Sequence, residues 1–396
     1  MKAVILAAGE GTRMRPLTSE CPKVMLPVAN KPMLEHIVTA VAEAGIEGIV
    51  LITGYREDVI RDHFEDGSQW GVDIEYVHQD EQRGTAHAIG CAEEHVNGRF
   101  IVLNGDVLIS PSHIKHLMSR NEEAVLTVKR VENPSDFGVI ETSGSLVTRI
   151  IEKPSEPPTD LANAGIYLFN DPIFDLIRQT EPSSRGELEI TDSLQMLIDS
   201  NAEVGYEILS QDWIDIGRPW DLLNANEVLL REIGSDRAGT VEPNATLIGD
   251  VVVGEGSIIR NGAYIIGPVV IGNNCDIGPN CFIRPSTAIG NDVHVGNAVE
   301  VKNSILMDGT KIGHLSYVGD SVIGRRCNFG AGTKVANLRH DGRNIRVTLR
   351  GKRTDSGRRK LGVIMGDDIH TGINTCINVG CIMDSGSSTG PGEIIR

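Results

Sequence analysis

At 396 residues the chain is longer than one domain usually runs, so two are expected, and a hydrophobic content of 40% is enough for each to bury a core. The formal net charge of −17 disfavours DNA or an anionic membrane as the main partner. No apolar run reaches membrane-spanning length and the opening lacks a signal-peptide layout, so a cytoplasmic protein is expected, with no nucleic-acid or membrane partner.

Residues 2–8 are small or β-branched and apolar, which predicts a fully buried parallel strand. The strand runs straight into Gly9-Glu10-Gly11-Thr12-Arg13. Glycines at that point let backbone N–H groups approach a phosphate, and Arg13, Arg15 and Lys23 add cationic side chains. The dinucleotide fingerprint would need glycine where Met14 stands, and the Walker loop would need a G-K-[ST] that is absent. Further on, the pattern predicts a helix over 32–45, a strand over 49–53, a helix over 56–64 and a strand over 73–78. A helix beginning at 85–91 and a buried strand over 99–103 follow. Strand alternating with helix implies a doubly wound α/β sheet, with ligands at the carboxyl ends of its strands.

The longer opening string, G-x-G-T-R followed by Pro22-Lys23, resembles the sugar nucleotidyltransferases over about the first 230 residues. That resemblance implies a Rossmann-like domain in which Leu6, Ala7, Ala8, Gly9, Gly11 and Thr12 line the nucleotide. Lys23 would bind phosphates at the reacting centre, and Arg13 would bind and release pyrophosphate. Gln79 presents a donor beside an acceptor, which complements the edge of uracil or thymine. The family uses such a glutamine with a following G-T, here Gly84-Thr85.

Asp106, in Asn104-Gly105-Asp106 at the end of the third strand, is a carboxylate of the type that holds Mg²⁺ beside triphosphate oxygens. Asp215, in Trp213-Ile-Asp-Ile-Gly217, resembles the family's second metal ligand. By the same resemblance Gly138 admits the sugar ring, Glu152 and Asn163 bind its hydroxyls, and Lys153 reaches its phosphate. Arg185-Gly-Glu-Leu-Glu-Ile-Thr-Asp192 also matches the family, with no role to assign.

From Val253 the sequence changes character. Aliphatic residues stand at 253, 259, 265, 271, 277, 283, 289, 295 and 301, a step of six without a miss. The phase slips near 306 and again before Ile323. A period of six is neither helical nor that of a simple strand; it is the hexapeptide repeat of a left-handed parallel β-helix. Each coil would be a triangle with its aliphatic residues inward. The seven cysteines form no C-x-x-C pair, which fits reduced thiols, and Cys275 and Cys281 share one phase of the repeat and are read as structural turn residues.

Ile312-Gly-His314-Leu-Ser-Tyr317-Val-Gly-Asp, Asn328-Phe-Gly-Ala-Gly-Thr333, Phe282-Ile-Arg284-Pro and Val299-Glu-Val-Lys302 resemble the acetyltransferase half of a bifunctional family. Its members are glucosamine-1-phosphate acetyltransferase and N-acetylglucosamine-1-phosphate uridylyltransferase in one chain. The resemblance implies that His314 is the general base, that Arg284 and Lys302 hold the sugar phosphate, and that Tyr317, Asn328 and Asn337 contact the sugar. Ala331 would lie on the acetyl-CoA path. An amine attacking a thioester must shed a proton, which imidazole can accept. The array could also be a purely structural stalk.

The chain departs from the family's bacterial members after Asn337. Residues 338–360 carry nine arginines and lysines against Asp341 and Asp355, and look more like archaeal versions. A phosphate-rich ligand such as CoA would suit them; a solvated, loose loop is the alternative. The expected architecture is thus an α/β domain over 1–229 and a β-helix over 230–396, and the resemblance implies assembly as a trimer or dimer of trimers. The expected reactions use Mg²⁺, UTP or dTTP and acetyl-CoA on sugar phosphates. A single-activity glucose-1-phosphate uridylyl- or thymidylyltransferase with a structural β-helix remains the alternative.

Overall fold

The computed structural model describes residues 1–209 and 214–396. The chain divides into two compact units, Met1–Glu10 with Met33–Asp215, and Gly11–Pro32 with Ile216–Arg396. A cut at 229/230 therefore differs from this division, which gives 11–32 and 216–229 to the second unit. No described helix is long and apolar enough to cross a membrane.

Among its described residues the first unit holds a nine-stranded mixed sheet. In chain order its strands are β1 (Lys2–Leu6), β2 (Gly48–Thr53), β3 (Asp73–His78), β4 (Phe100–Asn104) and β5 (Ala124–Arg130). Then come β6 (Gly138–Ser143), β7 (Leu146–Glu152), β8 (Leu161–Phe169) and β9 (Val204–Ile208). The order across the sheet is β3-β2-β1-β4-β8-β5-β9-β7-β6. The first four are parallel, in line with the predicted alternation, and β8 enters antiparallel to β4. Ala3, Val4 and Ile5 of β1 are fully buried, as an all-apolar central strand should be. Helix α1 spans Thr85–Gly90 and α2 spans Ile190–Asp199. The register of β8 against β5 shifts between Asn163 and Tyr167, and within this bulge Gly165 comes against Asn104 at the end of β4.

The second unit contains three parallel sheets of eight, seven and eight strands among its described residues. Each strand pairs with the third one on: Val251–Val253 with Val269–Ile271, and that with Thr287–Ile289. This is a three-faced β-helix, and the inward residues of the step of six, Val253 through Val301, are all essentially buried. The phase slips have a structural cause. Leu306 follows Val301, and Ile323 follows Val318, after five residues instead of six, and all four point into the core. Both shortened steps turn the same corner through a left-handed residue, Asn303 (φ 44°) and Asp320 (φ 51°). Cys275 and Cys281 are buried in the same core, consistent with a structural role; burial pushes the Cys281 thiol up to about 12.

Residues 346–355 form an antiparallel hairpin, Arg346–Leu349 with Lys352–Asp355, closed at its base by a bridge between Leu338 and Lys360. Val347 and the preceding Ile345 are buried, and Arg358 pairs with Glu227 at 3.0 Å. The insertion is a packed arm and not the loose loop its composition left open. Its cations at 343, 346, 350, 352, 353, 359 and 360 are exposed.

Candidate active sites

In the first unit the backbone after β1 is stitched between β2 and β4. Ala7 N donates to Ile52 O at 2.8 Å, and Gly105 N donates to Leu6 O at 2.9 Å. Gln82 Nε2 and Tyr55 N both donate to Ala8 O. Gln79 follows β3 and is buried, with its N–H on Thr53 O. Its Nε2 donates to His87 Nδ1 at 2.8 Å, leaving the second N–H and Oε1 for a ligand. His87, on α1, is a partner that the sequence reading missed, although its place one turn after Gly84-Thr85 was visible.

Gly84 has φ +122°, and a β-carbon there would collide with the backbone of Leu188. Leu188 N donates to Arg83 O, Ala86 N to Leu188 O, and Ile190 N to Thr85 Oγ1 at 3.0 Å. The segment 185–192, left without a role by sequence, straps the Gly84-Thr85 turn in place. It also reaches the sugar-side residues. Arg185 bonds both Glu189, at 2.5 Å, and Glu152, at 3.2 Å.

Gly138 stands among Glu152, Thr191 and Asn163; a β-carbon on it would lie 3.0 Å from Glu152 Oε2. A side chain at 138 would therefore crowd Glu152 and Thr191, and glycine keeps the backbone beside them bare. Asn163 Nδ2 donates to Tyr167 OH at 2.6 Å, while Lys153 (φ 43°) lies 3.5 Å from Glu152. Burial raises the Glu152 carboxyl above its ordinary value; the nearby Glu189 adds to this, and Lys153 and Arg185 offset only part.

The segments that carry Asp106 and Asp215 meet in an antiparallel bridge between Val107 and Asp215. Two half-buried carboxylates on adjacent backbones suit a hard divalent cation that takes its remaining ligands from phosphate and water. The described residues hold no group of three or more His, Cys, Asp or Glu arranged for a metal. Trp213 of the W-x-D-x-G string lies outside the described residues.

Gly11, Thr12, Arg13 and Lys23 fall in the second unit. Gly11 adopts φ +66°, and its carbonyl accepts from Met14 N at 2.8 Å and Thr18 Oγ1 at 3.0 Å. Two short 3-10 turns, Thr12–Met14 and Lys23–Met25, carry the cations; Arg13 is exposed, and Lys23 packs its methylenes over Gly11.

On the β-helix, Arg284, Lys302 and Asn337 occupy the corner where the two shortened steps turn. Asn303 N donates to Pro285 O and Asp320 N to Lys302 O, so successive coils stack there. Arg284 pairs with Glu300 at 2.9 Å and Lys302 with Asp320 at 3.2 Å. Asn337 Nδ2 donates to Tyr317 OH at 3.0 Å. His314 is exposed at the next corner, with Gly332 N on its carbonyl and Ala331 one residue before that contact. Asn328 projects from the neighbouring face, paired in register with Lys311 and His370. The β-helix therefore gathers Arg284, Lys302, Tyr317 and Asn337 beside one corner, and His314 with Ala331 at another.

A nine-stranded α/β sheet with a phosphate-type loop, joined to a three-faced β-helix, defines a nucleotidyltransferase fused to a hexapeptide-repeat domain. The nucleotidyl transferase family matches residues 2–232, and the GMPPB C-terminal domain matches 265–387. A Methanocaldococcus jannaschii relative named bifunctional protein GlmU is 41% identical, over 97% of this chain and 95% of its own. The Sulfurisphaera tokodaii bifunctional sugar-1-phosphate nucleotidylyltransferase/acetyltransferase is 39% identical, over 100% of this chain and 97% of its own. The chain belongs to this bifunctional family. Among solved structures, a Bacillus anthracis chain described as a glucose-1-phosphate thymidylyltransferase is 34% identical, with a TM-score of 0.54 over 60% of this chain and 98% of that one. A UDP-glucose pyrophosphorylase bound to UDP-glucose is 26% identical, with the same TM-score, over 59% of this chain and 99% of its own.

Proposed function

We infer that the protein acetylates glucosamine 1-phosphate from acetyl-CoA and joins the resulting N-acetylglucosamine 1-phosphate to UTP, or to dTTP, releasing pyrophosphate. The observation that carries this reading is that one chain, similar over its full length to bifunctional relatives, holds both the Gln79–Gly84–Glu152 edge and the Lys302–Tyr317–Asn337 corner.

In the nucleotidyl reaction an oxygen of the sugar 1-phosphate attacks the α-phosphorus, and the bond to pyrophosphate breaks as the new P–O bond forms. Gln79 reads the pyrimidine edge, steadied by His87. Glu152 and Asn163 hold sugar hydroxyls over Gly138, and Lys153 holds the sugar phosphate. Arg13 and Lys23 offset the charge that gathers on the leaving group. Mg²⁺ fits the Asp106–Asp215 pair and would neutralise triphosphate charge when bound.

In the acetyl reaction the sugar amine attacks the thioester carbonyl, His314 accepts the amine's proton, and CoA leaves as the thiol. Arg284 and Lys302 receive the sugar phosphate, Tyr317, Asn328 and Asn337 receive the ring, and the backbone at Ala331 borders the acetyl group. The exposed cations of the 346–355 hairpin suit the CoA phosphates. We read the β-helix as left-handed, the assembly as a trimer or dimer of trimers, and the compartment as cytoplasmic. Supplying glucosamine 1-phosphate and acetyl-CoA, and following free thiol, tests the reading. Thiol release dependent on the amino sugar is expected; none with any amino-sugar phosphate would leave only the first reaction.

A further inference from the structure

The string Ile312–Asp320 ends in a residue to which neither composition nor resemblance assigns a task. Asp320 is 2% exposed, sits in the left-handed region (φ 51°), and lies at the same corner as Lys302 and Asn337 in the coils on either side. Its carboxylate accepts from three directions: Lys302 Nζ at 3.2 Å, Asn303 Nδ2 at 2.9 Å and Asn337 Nδ2 at 2.5 Å. A buried carboxylate holds its charge only with such partners.

The contacts set directions as well as distances. An amide nitrogen facing a carboxylate must be the NH₂ end, so Asn337 cannot turn its oxygen inward. The two N–H groups of Asn337 are spent on Asp320 and on Tyr317 OH. Its oxygen is then the group left to accept. Tyr317, already accepting from Asn337, has its own O–H left to donate. Burial raises the Tyr317 phenol above its ordinary value, so this proton stays on at neutral pH.

We propose that Asp320 is a positioning residue that fixes the hydrogen-bonding polarity of the sugar-phosphate subsite, turning Asn337 into an acceptor, Tyr317 into a donor, and tethering Lys302. The ligand this polarity selects carries a hydroxyl or amine N–H for Asn337 and a phosphate or hydroxyl oxygen for Tyr317, as an amino-sugar phosphate does. The proposal rests on the acetyltransferase reading of this corner.

Two details support it. Gly319 leaves room for the pair: a β-carbon there would lie 2.5 Å from Tyr317 OH and 2.7 Å from Asn337 Nδ2. Asn303 obeys the same polarity, giving Nδ2 to Asp320 and to Glu227, so that its Oδ1 is buried without a partner among the described residues. The two cations also differ. Arg284 pairs with Glu300, which is 34% exposed and can give way to a phosphate, whereas Asp320 cannot leave Lys302 without unmaking the corner.

The test is steady-state kinetics on Asp320→Asn, which keeps size and tolerates φ > 0 but removes the charge that orients the amide. KM for glucosamine 1-phosphate should rise about 5- to 100-fold, with KM for acetyl-CoA and uridylyl transfer unchanged. In a background carrying both Asn337→Ala and Lys302→Ala the same substitution should add little, because Asp320 acts through those two residues. Equal rises in both KM values, or additive effects in the combined variant, would overturn the proposal. Should Asp320→Asn fail to fold, Tyr317→Phe serves. It should raise KM for the amino-sugar phosphate alone, and an unchanged KM overturns the assigned donor. A wild type that transfers no acetyl group would sink the reading of the site itself, whereas an active wild type with an unaltered Asp320→Asn KM sinks this proposal alone.

Discussion

Lys23 lies directly over Gly11: a β-carbon on Gly11 would stand 2.6 Å from Lys23 Cβ, at a position where φ is already +66°. The glycine therefore serves the lysine's placement as well as the turn. Gly11→Ala should shift Lys23, and a misplacement near 1 Å can cost about 100-fold in rate. We expect nucleotidyl transfer to fall by about that factor while acetyl transfer persists, read by pyrophosphate release and thiol release on the same sample. A variant with full pyrophosphate release would show that Lys23 does not act from this place.

The Val107–Asp215 bridge joins the two backbone segments that carry the candidate metal carboxylates. Asp106→Asn should abolish pyrophosphate release and weaken Mg²⁺ binding followed by calorimetry in the presence of nucleotide. Acetyl transfer should be untouched, since distant independent sites do not couple. Wild-type pyrophosphate release in this variant would remove Asp106 from the site.

Gln79, held by His87, should make UTP or dTTP far better substrates than ATP or GTP. Each polar group left unpaired by a wrong base costs about 1–3 kcal/mol, or roughly 5- to 100-fold. His87→Ala should relax that preference without abolishing transfer, because it frees the glutamine to turn. Competition assays with the four triphosphates read both effects, and equal use of all four by the wild type contradicts the assignment.

Much of this was legible in the sequence because period and charge are local. The step of six marks the β-helix, and the apolar run of 2–8 marks a central parallel strand. What the sequence hid depends on contacts between distant segments. His87 matters only because the chain turns it onto Gln79, and 185–192 because it packs on Gly84 and Glu152. Asp320 looks like a turn residue until Lys302 and Asn337, a coil away on either side, close on it. The slips in the repeat, which read as lost phase, are five-residue corners where those residues meet.

Glu152 carries a pH signature whose sign follows from its burial. Its carboxyl is raised in the folded state above the ordinary 4.5, so the folded protein binds this proton more tightly than the unfolded chain. Between 4.5 and the raised value, stability contributed here falls as pH rises, and above it the charged, half-buried carboxylate is a standing penalty. At pH 7 Glu152→Gln should melt at or above the wild type while losing nucleotidyl transfer, and the difference in melting should vanish below pH 4.5. A Gln variant that melts lower at pH 7 would mean that the bonds from Arg185 and Thr191 outweigh burial.

General-base catalysis is worth about 10²–10⁴-fold, so His314→Ala isolates the central claim that one chain runs two reactions. Wild type and variant, given glucosamine 1-phosphate, acetyl-CoA, UTP and Mg²⁺, are followed for thiol and for pyrophosphate. The account predicts that the variant loses acetyl transfer by about 10²–10⁴-fold yet still releases pyrophosphate at the wild-type rate from added N-acetylglucosamine 1-phosphate. Retention of thiol release by the variant, or its absence in the wild type, would contradict the account.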